Sequence, residues 1–175
     1  MRTNFLNNFQ LFPNAVFSGI PNEFPLIRKD LWSIIFPPEM GISERFEVKA
    51  ARPKITNTVK ELKYKNFFTK YKGATKYENI TVEFRDVVGP SVMQKFQAWQ
   101  REHFDPITGC GSYPSIYKKN ITLVMEDECG NPVQQWNFYG CFIADIDGGD
   151  LDQESDADPA LVTLTIAYDY CIMEF

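Results

Sequence analysis

The segment LVTLTIAYDYCI, residues 161–172, carries the strongest fold signal in the chain. Apolar side chains recur in it at every second position. They are Val162, Leu164, Ile166, Tyr168, Tyr170 and Ile172. A period of two places these side chains on one face of a β-strand, because successive residues of a strand point to opposite sides. The pattern predicts a single half-buried strand across the whole segment.

Shorter runs of the same kind predict strands further upstream. Residues 31–36 form an apolar run that two prolines stop, residues 46–55 form a weaker run, and residues 80–84 alternate cleanly. A turn at Gly130-Asn131-Pro132 separates two more runs, 121–126 and 133–146, and indicates a hairpin.

The second arm of that hairpin is rich in aromatic residues. Trp136, Phe138 and Phe142 are expected to share one face of it. Aromatic side chains pack well on pleated surfaces, which favours a β-rich fold.

One segment has helical periodicity instead. Gly89-Pro90-Ser91 ends the preceding strand and suits a helix start, where proline is tolerated. Val92, Phe96, Trp99 and His103 then fall on one face of a helix of three to four turns. The sequence therefore predicts a mainly β fold, an antiparallel β-sandwich or barrel with one flanking α-helix.

The chain divides into an N-terminal arm, residues 1–30, and a β domain, residues 31–175. The arm lacks clear periodicity and is rich in asparagine and proline. It also contains five phenylalanines, which is too many for a solvated tail. We expect the arm to dock on the domain or on a neighbouring copy.

Composition argues against several classes of function. The net charge of −5 and pI of about 5.0 disfavour a protein that grips nucleic acid. No apolar run reaches the length of a membrane span, and the first ten residues lack the apolar core of a signal peptide. The four cysteines form no CxxC pair, so they are expected to be reduced and mostly buried, with no structural metal.

Nothing in the sequence singles out a catalytic set or a cofactor site. His103 is the only histidine, and it is expected to lie at the core face of the helix, not beside a nucleophile. We therefore expect no enzymatic activity, no catalytic residues and no cofactor.

An acidic stretch, residues 145–158, contains seven acids and no base. The acids are Asp145, Asp147, Asp150, Asp152, Glu154, Asp156 and Asp158. The calcium loop of an EF-hand would need glycine at the sixth place and glutamate at the twelfth, where this stretch has aspartates. A solvated, self-repelling loop is the default interpretation, and a calcium-dependent binding module is a less favoured alternative.

Residues 54–76 carry the opposite charge, with seven lysines against one glutamate, or +6. They predict a long hairpin or extended loop. If the two charged segments lie at opposite ends of one domain, copies would attract head to tail, and such contacts build rings or open stacks. The residues predicted to mediate self-assembly are Lys63, Lys65, Phe67, Phe68, Lys70, Lys72, Asp145, Asp147, Asp150 and Asp152.

Several short motifs, in order, resemble those of the tail tube proteins of contractile-tailed bacteriophages. TVEFRD at 81–86 and QKFQAWQ at 94–100 resemble that family's strand-to-helix unit. YKK at 117–119 and the residues at 136–142 resemble its next hairpin, and TLTIAYDY at 163–170 resembles its closing strand. The resemblance covers roughly residues 45–172, about three-quarters of the chain.

The resemblance implies a structural virion protein. Family members form hexameric rings that stack into the inner tube of the tail, the conduit for DNA ejection into the host. Implied partners are further copies of the chain, the tail sheath, baseplate and tail terminator proteins, and, in the lumen, the tape measure protein and transiting DNA. The implied location is the virion tail, after assembly in the host cytoplasm.

The N-terminal 30 residues are longer than the resemblance leads one to expect. This leaves open an alternative role as a baseplate tube initiator or as a type VI secretion-like tube protein.

Overall fold

The computed structural model describes residues 27–89, 91–152 and 158–174. Most of the expected N-terminal arm lies outside the described residues. Within them the chain forms nine strands and two helices, and the longer helix occupies the predicted position. The strands are β1 (Trp32–Ile35), β2 (Glu47–Ala50), β3 (Ile55–Tyr64), β4 (Phe67–Tyr77), β5 (Ile80–Arg85), β6 (Lys119–Glu126), β7 (Pro132–Asp147), β8 (Leu161–Ala167) and β9 (Tyr170–Met173); the helices are α1 (Val92–His103) and α2 (Pro114–Tyr117).

Seven strands form one antiparallel system in the order β1-β6-β7-β8-β5-β2, with β9 also paired to β7. The long strand β7 is shared: its first half pairs with β6 and β9, and its second half pairs with β8. The remaining two strands, β3 and β4, form a separate two-stranded sheet. The predicted mainly β, antiparallel fold is confirmed.

Helix α1 packs on the apolar interior of the strand system. Its Phe96 ring lies 5.1 Å from the ring of Phe84 on β5 and 5.9 Å from the ring of Phe36. The Ser91 hydroxyl accepts a hydrogen bond from the Gln94 amide at 3.1 Å and so caps the helix. The indole N–H of Trp99 donates to the Tyr117 carbonyl at 2.7 Å, which ties α1 to α2.

The prediction of one continuous strand over residues 161–172 is wrong. Strand β8 ends at Ala167, and β9 begins at Tyr170 with its faces reversed. Tyr168 and Cys171 are therefore buried, whereas Tyr170 and Ile172 are 44% and 48% exposed.

The partner strand reverses its faces at the same level, which gives the physical reason. In β7 the buried side chains pass from Phe138 to Cys141, across Gly140 with its positive φ of 66°. That conformation is open to glycine and costly for other residues. It turns the pleat of β7, and the neighbouring chain turns with it at residues 168–169.

The same reversal corrects a second prediction. Phe142 does not share the core face of Phe138. Its ring lies 5.4 Å from the His103 ring and 6.1 Å from the Tyr117 ring, in a separate aromatic cluster beside α1 and α2.

Only two of the four cysteines are buried, although most were predicted to be. Cys141 and Cys171 are buried, whereas Cys110 and Cys129 are exposed on loops, and all four are free thiols. Among the residues that the structure describes, no helix is long and apolar enough to cross a membrane.

Candidate self-assembly surfaces

The hairpin of β3 and β4 is exposed along almost its whole length. All ten residues of β3 are exposed, although the strand carries Ile55, Val59, Leu62 and Tyr64. A two-stranded sheet has marginal stability in water when nothing packs against it. We call this hairpin the ribbon. Packing against another surface would stabilise it.

Polar contacts hold the base of the ribbon. The Glu78 carboxylate accepts hydrogen bonds from Lys54 Nζ and from the Thr56 hydroxyl, each at 2.9 Å. These bonds hold the pKa of Glu78 below its usual range, the contact with Lys54 being the larger cause. The Glu78 amide also donates to the Lys54 carbonyl at 3.0 Å.

A β-bulge lies above the base. The register shifts between Asn57 and Val59, opposite Gly73. A β-carbon at position 73 would lie 2.9 Å from the Thr58 carbonyl oxygen, so the two strands approach each other here as only glycine permits.

The register assigns each residue beyond the bulge to one of two faces. Tyr64 pairs with Phe67 and Lys63 pairs with Phe68, and directly opposed residues lie on the same face. Since adjacent residues alternate, Phe67 and Phe68 lie on opposite faces. The first face, called here the aromatic face, consists of Lys60, Leu62, Tyr64, Phe67, Thr69 and Tyr71; the second, the cationic face, consists of Val59, Glu61, Lys63, Phe68, Lys70 and Lys72.

The structure separates the predicted hairpin residues accordingly. Lys63, Lys70 and Lys72 share the cationic face with Phe68, which is 62% exposed. Phe67, 76% exposed, lies on the aromatic face. Lys65 is in the two-residue turn, with a positive φ of 53°.

Some of this positive charge is already engaged within the ribbon. Lys70 forms an ion pair with Glu61 at 3.3 Å, and Lys63 Nζ lies 5.8 Å from the centre of the Phe68 ring. Exposed contacts of this kind stabilise by well under about 1 kcal/mol, so they leave the cations open to a stronger partner.

Sequence reasoning did not single out Leu62, Tyr64 and Tyr71, which are exposed on the aromatic face. The signal that would have found them is the two-residue turn at Lys65-Asn66, which fixes the register and hence the face of every residue. Charge alone drew attention to the lysines.

The acidic stretch begins on a strand and not in a loop, contrary to the sequence-based expectation. Asp145 and Asp147 are exposed on the end of β7, opposite Thr165 and Thr163 of β8. Asp150 and Asp152 follow in the connection to β8, and residues 153–157 lie outside the described residues. No group of acids, cysteines and histidine in the described ranges has the geometry of a metal site.

The ribbon and the β7–β8 connection leave the sheet at opposite ends of one strand pair, whereas Asp145 lies level with Thr81, near the ribbon end, because both pair with Thr165. The ribbon leads into β5 at Ile80, which pairs with Ile166 at the far end of β8. The acidic connection leads into β8 at Leu161, which pairs with Arg85 at the other end of β5. The two ends of β5 are six residues apart, about 20 Å at the usual rise per residue.

His103 is part of a packing cluster. Its ring meets the Tyr117 ring edge-on at 4.0 Å, and burial lowers the pKa of the imidazole. Lys118 Nζ lies 5.9 Å from the centre of the neighbouring Phe142 ring. The histidine therefore packs against two aromatic rings, those of Tyr117 and Phe142, which is a structural role.

Several solved structures share this fold. The tube-terminating cap of the anti-feeding prophage aligns with a TM-score of 0.70 and 16% identity, over 92% of this chain and 99% of that chain. A sheath–tube complex of the PVC extracellular contractile injection system aligns with a TM-score of 0.63 and 19% identity, over 92% of this chain and 99% of that chain. Hcp1 from Flavobacterium johnsoniae aligns with a TM-score of 0.53 and 12% identity, over 82% and 94%.

At these identities the likeness establishes the fold alone. The sequence profile of the family described as T4-like virus tail tube protein gp19 matches residues 47–172. The chain belongs to this tail tube family, whose members are structural proteins and not enzymes. No curated protein is significantly similar to the chain.

Proposed function

We propose that the chain assembles into stacked hexameric rings that form the inner tube of a contractile phage tail. The observation that carries the proposal is the exposed ribbon, whose aromatic face presents Leu62, Tyr64, Phe67 and Tyr71 to solvent. Contiguous exposed apolar surface of this kind marks an interaction site. Membership of the tail tube family supports a partner surface on another copy.

Charge supports a head-to-tail contact between copies. The lysine-rich ribbon joins one end of β5, and the connection that carries Asp150 and Asp152 enters β8 beside the other end of β5, so each copy has opposite charges at the two ends of this strand pair. A contact between two different surfaces of the same chain is heterologous, and heterologous contacts build rings or stacks. Charge pairing sets orientation and encounter rate, whereas burial of the aromatic face supplies affinity.

The proposal extends to the surroundings of the tube. The outer partners are the tail sheath protein and, at the ends, baseplate and terminator proteins, and the particle is a virion assembled in the host cytoplasm. The lumen would hold the tape measure protein and then DNA on its way into the host. A net charge of −5 suits passage of DNA, because surplus lysine and arginine would bind phosphates tightly.

Negative-stain electron microscopy at rising protein concentration, beside size-exclusion chromatography, tests the proposal. The wild-type chain is expected to form rings or tubes, and a Leu62→Ser, Phe67→Ser variant is expected to stay monomeric because it lacks the apolar contact. Phe104→Ser is the matched control, since Phe104 is an exposed aromatic residue at the end of α1, far along the chain from the ribbon.

The control should assemble like the wild type. A wild-type chain that remains monomeric even when purified tail tubes are added as seeds would contradict the proposed function. Normal assembly of the Leu62→Ser, Phe67→Ser variant would reject the ribbon as the contact.

A further inference from the structure

An apolar groove lies between the two terminal strands of the sheet system. It has a volume of about 580 Å³ and runs between β1 and β2. Its apolar lining consists of Ile27, Trp32, Val48, Ala50, Leu123 and Met125. No described residue fills this space.

Both strands that border the groove have an unpaired edge. β1 pairs with β6 and β2 pairs with β5, and neither pairs with a second strand among those described. The Ile34 amide donates to both oxygens of the Glu47 carboxylate, at 3.0 and 3.1 Å, and so points away from β6. By strand alternation the Trp32 amide faces the same open edge.

The edge of β2 is open in the same way. The Ala51 amide donates to the Thr81 carbonyl of β5 at 2.9 Å, so the Ala50 amide faces the groove. Unpaired edges beside apolar side chains are an aggregation hazard, which folded proteins usually cover.

The described chain begins at the rim of this groove. Ile27 lines it, and residues 1–26 precede that position directly. Those residues include Phe5, Phe9, Phe12, Phe17 and Phe24. A few phenylalanine side chains are enough to fill a groove of this size, and an extended segment can pair with an open strand edge.

Charge distinguishes two possible occupants of the groove, which are residues 1–26 and the ribbon of a second copy. The groove is bordered by Lys29, Lys49 and Arg52. A ribbon with a surplus of lysines would be repelled there, whereas residues 1–26 carry one arginine and one glutamate and are neutral overall.

We propose that residues 1–26 of the same chain occupy the groove between β1 and β2 and cover its two open edges. The arm then packs against its own domain. This inference stands on the groove and its edges, and it does not depend on the chain forming a tube.

Hydrogen exchange of the full chain, kept monomeric at low concentration and checked by size exclusion, tests the proposal. The Trp32 and Ala50 amides are expected to exchange at least tenfold more slowly in the wild type than in a chain lacking residues 1–26. The Leu164 amide in β8 is the internal control and should exchange equally in both, because β8 is paired on both sides.

A full-length Phe12→Ser, Phe17→Ser variant repeats the comparison if the shortened chain does not fold. Wild-type Trp32 and Ala50 amides that exchange without protection in the monomer would overturn the proposal by themselves. Protection that appears only after assembly would also overturn it, since the occupant would then be a second copy.

Discussion

The carboxylate of Asp169 occupies the space that a β-carbon at position 140 would need. A side chain at Gly140 would lie 2.8 Å from Asp169 Cγ. Lys118 Nζ donates to both oxygens of this carboxylate at 2.7 Å, and the Asp169 amide donates to the Tyr139 carbonyl at 3.0 Å. Hydrogen bonds of Asp169 thus hold the point where β7 and the β8–β9 segment reverse their faces, and its carboxylate leaves no room for a side chain at position 140.

Gly140→Ala is expected to destabilise the fold by about 2–3 kcal/mol, because it combines a positive φ with displacement of the Asp169 carboxylate. Urea denaturation of the monomer measures the change. Gly109→Ala is the matched control: its φ is 71° but nothing lies within 4 Å of the added carbon, so only the backbone strain remains, about 1 kcal/mol. Equal losses in the two variants would show that the contact with Asp169 is unimportant.

Reversing the ribbon cations should weaken stacking. A Lys63→Glu, Lys65→Glu, Lys70→Glu, Lys72→Glu variant is expected to assemble more slowly, most clearly at low salt, because like charges would then meet in the head-to-tail contact. Sedimentation of polymers measures this.

The matching control combines that variant with lysines at positions 145, 147, 150 and 152 in place of the aspartates. Assembly should recover in the doubly reversed chain, because the charges are again complementary. Normal stacking of the first variant would reject the charge pairing and leave the aromatic face as the sole contact.

Glu47 should make the fold less stable as pH rises. Burial raises the pKa of its carboxyl to about 8, with a smaller contribution from Glu44, against 4.5 for an ordinary glutamate. Its contribution to stability is present in full below about pH 4.5 and is lost progressively as pH rises toward the folded pKa. The free energy of unfolding should therefore decline across that window.

Melting temperatures of the wild type and Glu47→Gln at pH 5, 6, 7 and 8 check this expectation. The glutamine variant cannot ionise, yet its carbonyl can still accept from the Ile34 amide, so its pH profile should be flatter. Glu78→Gln is the control and should give a profile parallel to the wild type over this range, because the lowered pKa of Glu78 places its titration below pH 5. Parallel profiles for wild type and Glu47→Gln would contradict the assignment.

Two of the four thiols should react quickly in the native protein. Cys110 and Cys129 are exposed, whereas Cys141 and Cys171 are buried, and burial raises the pKa of Cys141 to about 12. Since the thiolate is the reactive species, a thiol reagent at pH 8 should label two cysteines at once and the other two only after denaturation. Mass spectrometry of the labelled peptides identifies them, and early labelling at Cys141 would be evidence against the described packing.

Local pattern was sufficient to predict most of the elements. The clean alternation of Ile80, Val82 and Phe84 and the helical spacing of Val92, Phe96 and Trp99 both correspond to buried faces. In each case one element meets one core, so period and burial agree.

The errors arose where one strand serves two surfaces. Tyr168 and Tyr170 continue the same alternation in sequence, yet only the first is buried, because Gly140 turns the partner strand between them. A turned pleat depends on a residue in another strand, and no local period reports it. The faces of the ribbon were hidden for a related reason, since they depend on cross-strand register, whereas the sequence displayed only the charges.

The placement of the ribbon and the acidic connection at different ends of β5 also gives a direction to the proposed polymer. The ribbon joins one end of β5 and the acidic β7–β8 connection lies beside the other end, so copies joined by the proposed contact would all have the same orientation. The two ends of such a polymer are chemically unlike: one exposes an aromatic, lysine-rich hairpin in every subunit, and the other exposes carboxylates. Growth from each end of the proposed polymer would therefore be a different reaction, and each end would need a different terminating protein.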